Sequence, residues 1–441
     1  MATRRRVIVS PGADPAAFAV AAALVNRQCA LSPPYEPVTV GSYKVDGEII
    51  AYASPDSTWA VTKRLIDAAT KTILVGTYDF TATYVADALA AAVGRGVKVE
   101  LMLDLDGRSG ELPVYDSLAV AGVKTHPAPA CGKGHRNVFP SCHEKVTVID
   151  GEWVLVQSGN YTENSIPAND PTPGSPANRV PGNRDMGLAI RSKSLARFFT
   201  KLLKADIKRA MDGFVPDGLV DLFDAEQVMF DTAPTALPPL RPERSFATAK
   251  SQRVQAAVTP DNFLAQAEAI LRSATTSIDI EQQYIRPTQP AIVRLLQAID
   301  ETRAAHPGLK VRIILAPGHG GDDNAKLRRD LDTLADQHGL TFGSKVRLLN
   351  RKHFVHCHNK LIIADRKRVL VGSQNWSGTG VATNREAGIR VDHPGIAEYF
   401  SEFVDFDWTT GSKTKPKAPV ADPNGLAPAT IRVRAGDYEE V

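Results

Sequence analysis

Two stretches of the chain carry the same reactive side chains at the same spacing. In CHEKVTVIDGEWVLVQSGN, from Cys142 to Asn160, the set is His143, Lys145, Asp150, Ser158 and Asn160. In CHNKLIIADRKRVLVGSQN, from Cys357 to Asn375, it is His358, Lys360, Asp365, Ser373 and Asn375. The two stretches align without a gap. A chain that builds one polar face twice is expected to bring the copies together.

On a strand, residues two apart share a face. His143 therefore stands beside Lys145, and His358 beside Lys360, while Val146, Val148, Leu361 and Ile363 fill the core around them. Asp150-Gly151 makes a tight turn and Asp365-Arg366 holds the matching place. Both aspartates are expected to stabilise their hairpins. The return strands WVLV and RVLV then bring Ser158, Asn160, Ser373 and Asn375 back beside the His-Lys pairs.

Lysine ammonium and asparagine amide groups donate hydrogen bonds. Two of each, with the two serines, suit an anion whose oxygens gain charge in a transition state, above all a phosphoryl group. Two imidazoles suit in-line displacement at phosphorus. One attacks, the other protonates the leaving oxygen, and the second then activates water. The paired lysines supply the charge a metal would otherwise bring, so neither metal nor other cofactor is expected. An attacking imidazole needs its tautomer fixed by an acceptor on its other nitrogen. Each half offers one: Asp185 in NRDMGLAI and Glu386 in NREAGIRV.

The doubled His-x-Lys-x4-Asp-x6-Gly-Ser-x-Asn pattern resembles that of the phospholipase D superfamily. The second copy fits throughout. The first has Gln157 where the family usually has Gly, a change that could alter the local turn. The resemblance spans roughly Tyr52 to Trp408. It implies an α/β fold of two pseudo-twofold-related α/β/α sandwich domains, with one active site at their interface. It also implies a phosphohistidine intermediate, with His143 as nucleophile and His358 as general acid. Family members act on phospholipids, DNA or RNA, or exchange head groups.

The elements that must position these residues also repeat. KTILVGTYDF reads as a buried strand, ATYVADALAAAVGRG as a helix with a glycine stop, and VKVELMLD as a strand. TSIDIEQQYI, AIVRLLQAIDETRAAHPG and LKVRIILAP repeat that order. Strand–helix–strand units argue an α/β protein with a mixed sheet. The expected divisions are a first domain over 1–231, a proline-rich linker over 232–245, a second domain over 246–410 and a loose tail over 411–441. With both motifs in one chain, a monomer is expected.

The chain has 441 residues, more than one ordinary core accommodates. Its 43% hydrophobic and 23% charged content reads as a soluble globular protein. No apolar run approaches the ~20 residues of a membrane span. MATRRR followed by AAFAVAAALV loosely resembles a signal peptide. The better reading is a short strand, VIVS, then a helix over Pro15–Arg27 opened by Asp14 and Pro15. Four cysteines, Cys29, Cys131, Cys142 and Cys357, are too few for a disulfide framework, which favours a reduced, cytoplasmic protein. Cys142 and Cys357 are expected to face the core, away from the histidines that follow them.

Four further features stand out. HFVHCH, His353 to His358, invites a zinc reading that would sequester His358. GHGGDDNAK, Gly318 to Lys326, loosely resembles a phosphate-binding loop but reads better as the cap of a helix. KGHR, Lys133 to Arg136, is basic and lies just before His143. A long Pro/Asn/Gly loop follows the first motif from Glu163 to Asp185, and loops of that length are often functional. Its apolar residues Ile166 and Val180, with the fused pair of motifs, favour a phospholipid substrate cleaved to phosphatidic acid and a head-group alcohol. The basic segments KGHR and RKRV and a pI near 8.5 favour the alternative, a metal-independent nuclease. The net charge of +3 does not choose between them.

Overall fold

In the computed structural model, the described residues are 6–7, 35–105, 111–130, 138–172, 179–211, 234–416 and 431–432. Alternating apolar strands and amphipathic helices build two eight-stranded sheets. From edge to edge the first sheet runs Arg244–Ala247, Glu48–Ser54, Asp185–Arg191, Trp153–Gln157, Val146–Ile149, Thr72–Thr77, Lys98–Leu103 and Lys124–Pro127. The second runs Ser42–Lys44, Arg253–Thr259, Glu386–Asp392, Arg368–Gly372, Lys360–Ala364, Ser277–Gln282, Lys310–Leu315 and Val346–Leu348. The order is the same in both. The repeated motif is the central hairpin of each sheet.

The strand–helix–strand units make the parallel part. Thr72–Thr77 pairs parallel with Lys98–Leu103 across the helix Thr83–Gly94, and Ser277–Gln282 pairs parallel with Lys310–Leu315 across the helix Pro290–Ala305. Such crossovers put helices on a sheet face, and the strand residues under them are apolar: Ile73, Val75, Val99 and Leu101 in the first sheet, Ile278, Ile280, Val311 and Ile313 in the second. Three apolar clusters result. One lies behind each sheet under its crossover helices. The third is shared: it joins Val146, Val148, Leu361 and Ile363 to Phe199 of the helix Lys193–Met211 and Phe400 of the helix Pro394–Thr410. The strand alternation read from the sequence therefore holds, and the two halves share one core.

The sheets also trade their first edge strands. Ser42–Lys44 precedes the first sheet in sequence but pairs with Arg253–Thr259 of the second. Arg244–Ala247 precedes the second sheet but pairs with Glu48–Ser54 of the first. The division expected at 231 and 246 thus does not separate the sheets. The end of the proline-rich segment is itself a strand, because pairing satisfies backbone groups that a free linker would leave to water. Likewise the chain past 411 does not leave the body at once: Ser412 exchanges backbone hydrogen bonds with Leu348. Arg6–Val7 and Ile431–Arg432 form a short antiparallel ribbon. The helix expected over Pro15–Arg27, the KGHR segment, Cys29 and Cys131 lie outside the described residues. Among the described residues, no helix is long and apolar enough to cross a membrane.

Candidate active site

Each hairpin is fastened at its turn. Asp150 and Gly151 both have positive φ, at 53° and 65°, and Asp365 and Arg366 repeat this at 56° and 51°. Aspartate tolerates that conformation because its short side chain bonds the nearby backbone. Here Asp150 accepts the N–H groups of Thr70, Lys71 and Thr72 at 2.7–2.9 Å. Asp365 accepts those of Thr275, Thr276 and Ser277 at 2.7–3.1 Å. The motif aspartates thus anchor the far end of each hairpin to the start of the neighbouring strand, as expected.

At the other end stand the histidines, both buried. Short parallel bridges carry them across the interface. Arg385 N–H donates to Ser141 O at 2.8 Å and His143 N–H donates to Arg385 O at 2.7 Å. Arg184 N–H donates to His356 O at 2.8 Å and His358 N–H to Arg184 O at 3.0 Å. These bridges place the acid that follows each arginine beside the histidine of the other half. Nδ1 of His143 lies 2.7 Å from Glu386 Oε2, and Nδ1 of His358 lies 2.9 Å from Asp185 Oδ1. From sequence, each half offers one acid; in the structure each serves the histidine of the other half, so the pairing is crossed. A carboxylate on Nδ1 holds the proton there and leaves Nε2 for chemistry.

The serines serve these acids. Ser158 donates to Asp185 Oδ1 at 2.8 Å and accepts from Met186 N–H at 3.0 Å. Ser373 donates to Glu386 Oε2 at 2.6 Å and accepts from Ala387 N–H at 3.0 Å. Their hydroxyls, read from sequence as phosphate ligands, are spent on fixing the carboxylates. Burial pushes the Asp185 carboxyl up, and the His358 imidazole with Lys360 more than offsets this, leaving it below its ordinary value. Lys145 and Lys360 are buried and donate to the carbonyls of their own histidines, each at 2.7 Å. An ammonium has three N–H donors, so this contact aims the group without exhausting it. Asn160 and Asn375 close the return strands, also buried.

Behind this centre each arginine is clamped between one acid of each half. Arg385 reaches Asp206 at 2.8 Å and Asp261 at 2.8 Å. Arg184 reaches Asp407 at 2.7 Å and Asp56 at 3.1 Å. A further buried acid joins each cluster. Burial, reinforced by Asp206, pushes the Glu144 carboxyl up to about 8. Burial and Asp407 do the same for Glu281, also to about 8. Glu144 comes from the hairpin and faces Gly76, whereas Glu281 comes from the adjacent strand and meets Asn359 at 2.8 Å. The same role is filled from opposite partners.

Two stretches of this chain, residues 62–207 and 268–408, match the family model described as "Cardiolipin synthase, PLD-like domain". The chain belongs to the phospholipase D superfamily. Among solved structures it resembles phosphatidylserine synthase from Haemophilus influenzae Rd KW20, at 13% identity over 86% of this chain and 90% of that one, with a TM-score of 0.57. It is also similar to the phospholipase D family member Nuc from Salmonella typhimurium, at 22% identity over 37% of this chain and 96% of that one, with a TM-score of 0.31. No curated protein sequence matches the chain.

The one departure from the phospholipase D pattern is compensated in place. Gln157 and Gly159 flank Ser158, while Gly372 and Gln374 flank Ser373. In one half the amide enters before the serine, and Gln157 binds Gly159 O at 2.8 Å and accepts from Tyr52 at 3.0 Å. In the other it enters after, and Gln374 covers Gly372 and binds Ala257 O at 3.0 Å. The turn is not displaced. Tyr78, missed from sequence, packs edge-on against His143 with centroids 4.6 Å apart, and Lys145 Nζ lies 5.1 Å from its ring centre. A polar-ended aromatic at the C-terminal end of a strand beside the motif was the available signal.

Other expectations resolve simply. Tyr161 and Trp376, the aromatic residues that follow the two motif asparagines, are buried in the core, and Cys142 and Cys357 are free thiols within the shared apolar cluster. HFVHCH is dispersed: His353 bonds Ala236 O, His356 stacks on His319, and His358 takes Asp185. In the loop after the first motif Ile166 is buried, so it does not rim the site, while Val180 is exposed. Asn169 ties that loop to Pro55 O and Val180 O at 2.7 and 2.8 Å.

Proposed function

We propose that this protein cleaves the phosphodiester of a glycerophospholipid through a covalent intermediate on His143. The observation that carries this reading is the pair of crossed histidine–carboxylate contacts, which arms two imidazoles at one interface between two buried lysines. Nε2 of His143 forms a bond to phosphorus as the bond to the head-group oxygen breaks. His358 gives its proton to that oxygen. It then takes a proton from water, whose oxygen displaces the imidazole and yields phosphatidic acid. An alcohol in place of water gives head-group exchange by the same steps. Lys145, Lys360, Asn160 and Asn375 hold the phosphoryl oxygens as charge grows on them. The name of the matching family model supports a lipid substrate.

The test is turnover by the purified protein on phosphatidylglycerol and phosphatidylcholine micelles, with and without added alcohol, beside DNA and RNA. His143→Ala and His358→Ala run in parallel. Lipid cleavage lost in both variants, with a phosphatidyl group trapped on His143 when the wild type is quenched in denaturant at neutral to alkaline pH, is the expected result. Cleavage of nucleic acid but no lipid overturns the substrate, and an unlabelled His143 during turnover overturns the assignment of nucleophile.

A further inference from the structure

The two halves match at the reacting centre but differ beside it. Ser141 and His356 occupy equivalent places, each two residues before a catalytic histidine and on the same side of the extended segment. Each thus lies roughly 6.6 Å along the chain from its histidine. Ser141 is small and donates to Asp104 Oδ2 at 3.1 Å. His356 instead stacks on His319, with centroids 5.1 Å apart and planes at 25°. Arg351 lies against the pair, its Nη2 2.9 Å from His319 Nδ1.

Two sequence features, GHGG and the part of HFVHCH that precedes His358, therefore meet at one place. The loop is built to hold His319 there. Gly320 and Gly321 have φ of 112° and 41°, and a side-chain carbon on Gly318 would meet Asn324 at 2.4 Å. Arg351 also binds the carbonyls of Pro317 and Gly318 at 3.3 and 3.2 Å. Asp323 is occupied in capping His319 N–H at 2.7 Å. One flank of the centre thus carries a carboxylate and a hydroxyl. The other carries two half-buried imidazoles and a guanidinium.

We propose that His319, His356 and Arg351 form a subsite for a second phosphate carried by the substrate's head group, beside the diester that is cleaved. This rests on the two-histidine centre being a lipid phosphodiesterase. The asymmetry also gives the substrate a direction: the head group lies over the second half, on the side of His358, and the diacylglycerol over the first. That is the direction that presents the head-group oxygen to the general acid.

The test compares phosphatidylglycerophosphate with phosphatidylglycerol, which differ by that phosphate. The expected wild-type preference is for the former. His319→Gln and His356→Gln should each lower the ratio of the two kcat/KM values at least tenfold, through KM. A ratio unchanged within twofold in both variants, or a wild type without preference, overturns the subsite. Binding provides a readout independent of turnover, using propane-1,3-diyl bisphosphate against propyl phosphate in calorimetry. The bisphosphate advantage should fall tenfold in the same variants, and an unchanged advantage overturns the subsite. If neither lipid is cleaved, the lipid phosphodiesterase reading fails, and the calorimetric comparison still decides the anion site.

Discussion

Removing the charge, but not the shape, of each orienting acid tests the crossed pairing directly. In Glu386→Gln the amide oxygen can still face Nδ1 of His143, because Ser373 directs its proton to that position and is itself held by Ala387 N–H. What is lost is the charge across the 2.7 Å contact. A hydrogen bond to a charged group is worth about 1.5–3 kcal/mol. At about 1.4 kcal/mol per decade of rate, the loss is about 10- to 150-fold. The slowed step should be attack on phosphorus, read as the rate of covalent-intermediate formation in single turnovers quenched in denaturant at neutral to alkaline pH. Asp185→Asn should act through His358 and slow both leaving-group protonation and the water step. ¹⁵N-histidine spectra make the assignment independent of rates: Glu386→Gln should move the His143 ring signals and Asp185→Asn those of His358. The opposite pattern, or two variants within twofold of the wild type, refutes the crossed arrangement.

Three other outcomes follow from the same geometry. Arg385→Ala takes the buried guanidinium from Asp261 and leaves Asp206 only the part-exposed Arg209, and should cost about 3–5 kcal/mol in urea unfolding. Burial raises the Asp365 carboxyl, but the N–H groups of Thr276, Ser277 and Thr275 overcome this and hold it below its ordinary value. Its stabilisation is therefore present above that ordinary value and lost as pH falls through the depressed one, so Asp365→Asn should flatten the acid limb of a melting-temperature profile. Glu144 and Glu281 have the opposite sign. Their carboxyls are raised from 4.5 to about 8 by burial and a neighbouring aspartate, so ionisation costs stability as pH rises through that window. Glu144→Gln and Glu281→Gln should each reduce the stability lost between about pH 5 and 8, measured by thermal melts.

The hairpins, their anchoring aspartates and the core-facing cysteines were legible because strand alternation and turn chemistry are local. His143 and His358 could be named as a pair because the repeat itself signals symmetry. The partner of each was not legible. Asp185 and Glu386 lie on strands adjoining their own hairpins, and only the parallel bridges at Cys142 and Cys357 show that each serves the opposite histidine. The edge strands were missed for a similar reason, since three- and four-residue pairings depend on a sheet in the other half. The serines looked like phosphate ligands because a hydroxyl's type does not reveal where its proton points. The meeting of His319 with His356 spans a helix and a strand that no local pattern connects.

The exchange of edge strands also sets an order of events during synthesis. Arg244–Ala247 must emerge before the first sheet gains its last strand, and Ser42–Lys44 waits for Arg253–Thr259 to receive it. The acid that orients His143 lies 243 residues downstream of it. A nascent or truncated chain therefore presents an open sheet edge and an imidazole without its carboxylate. The paired histidine–carboxylate centre is not assembled until the second half has been made and has closed on the first.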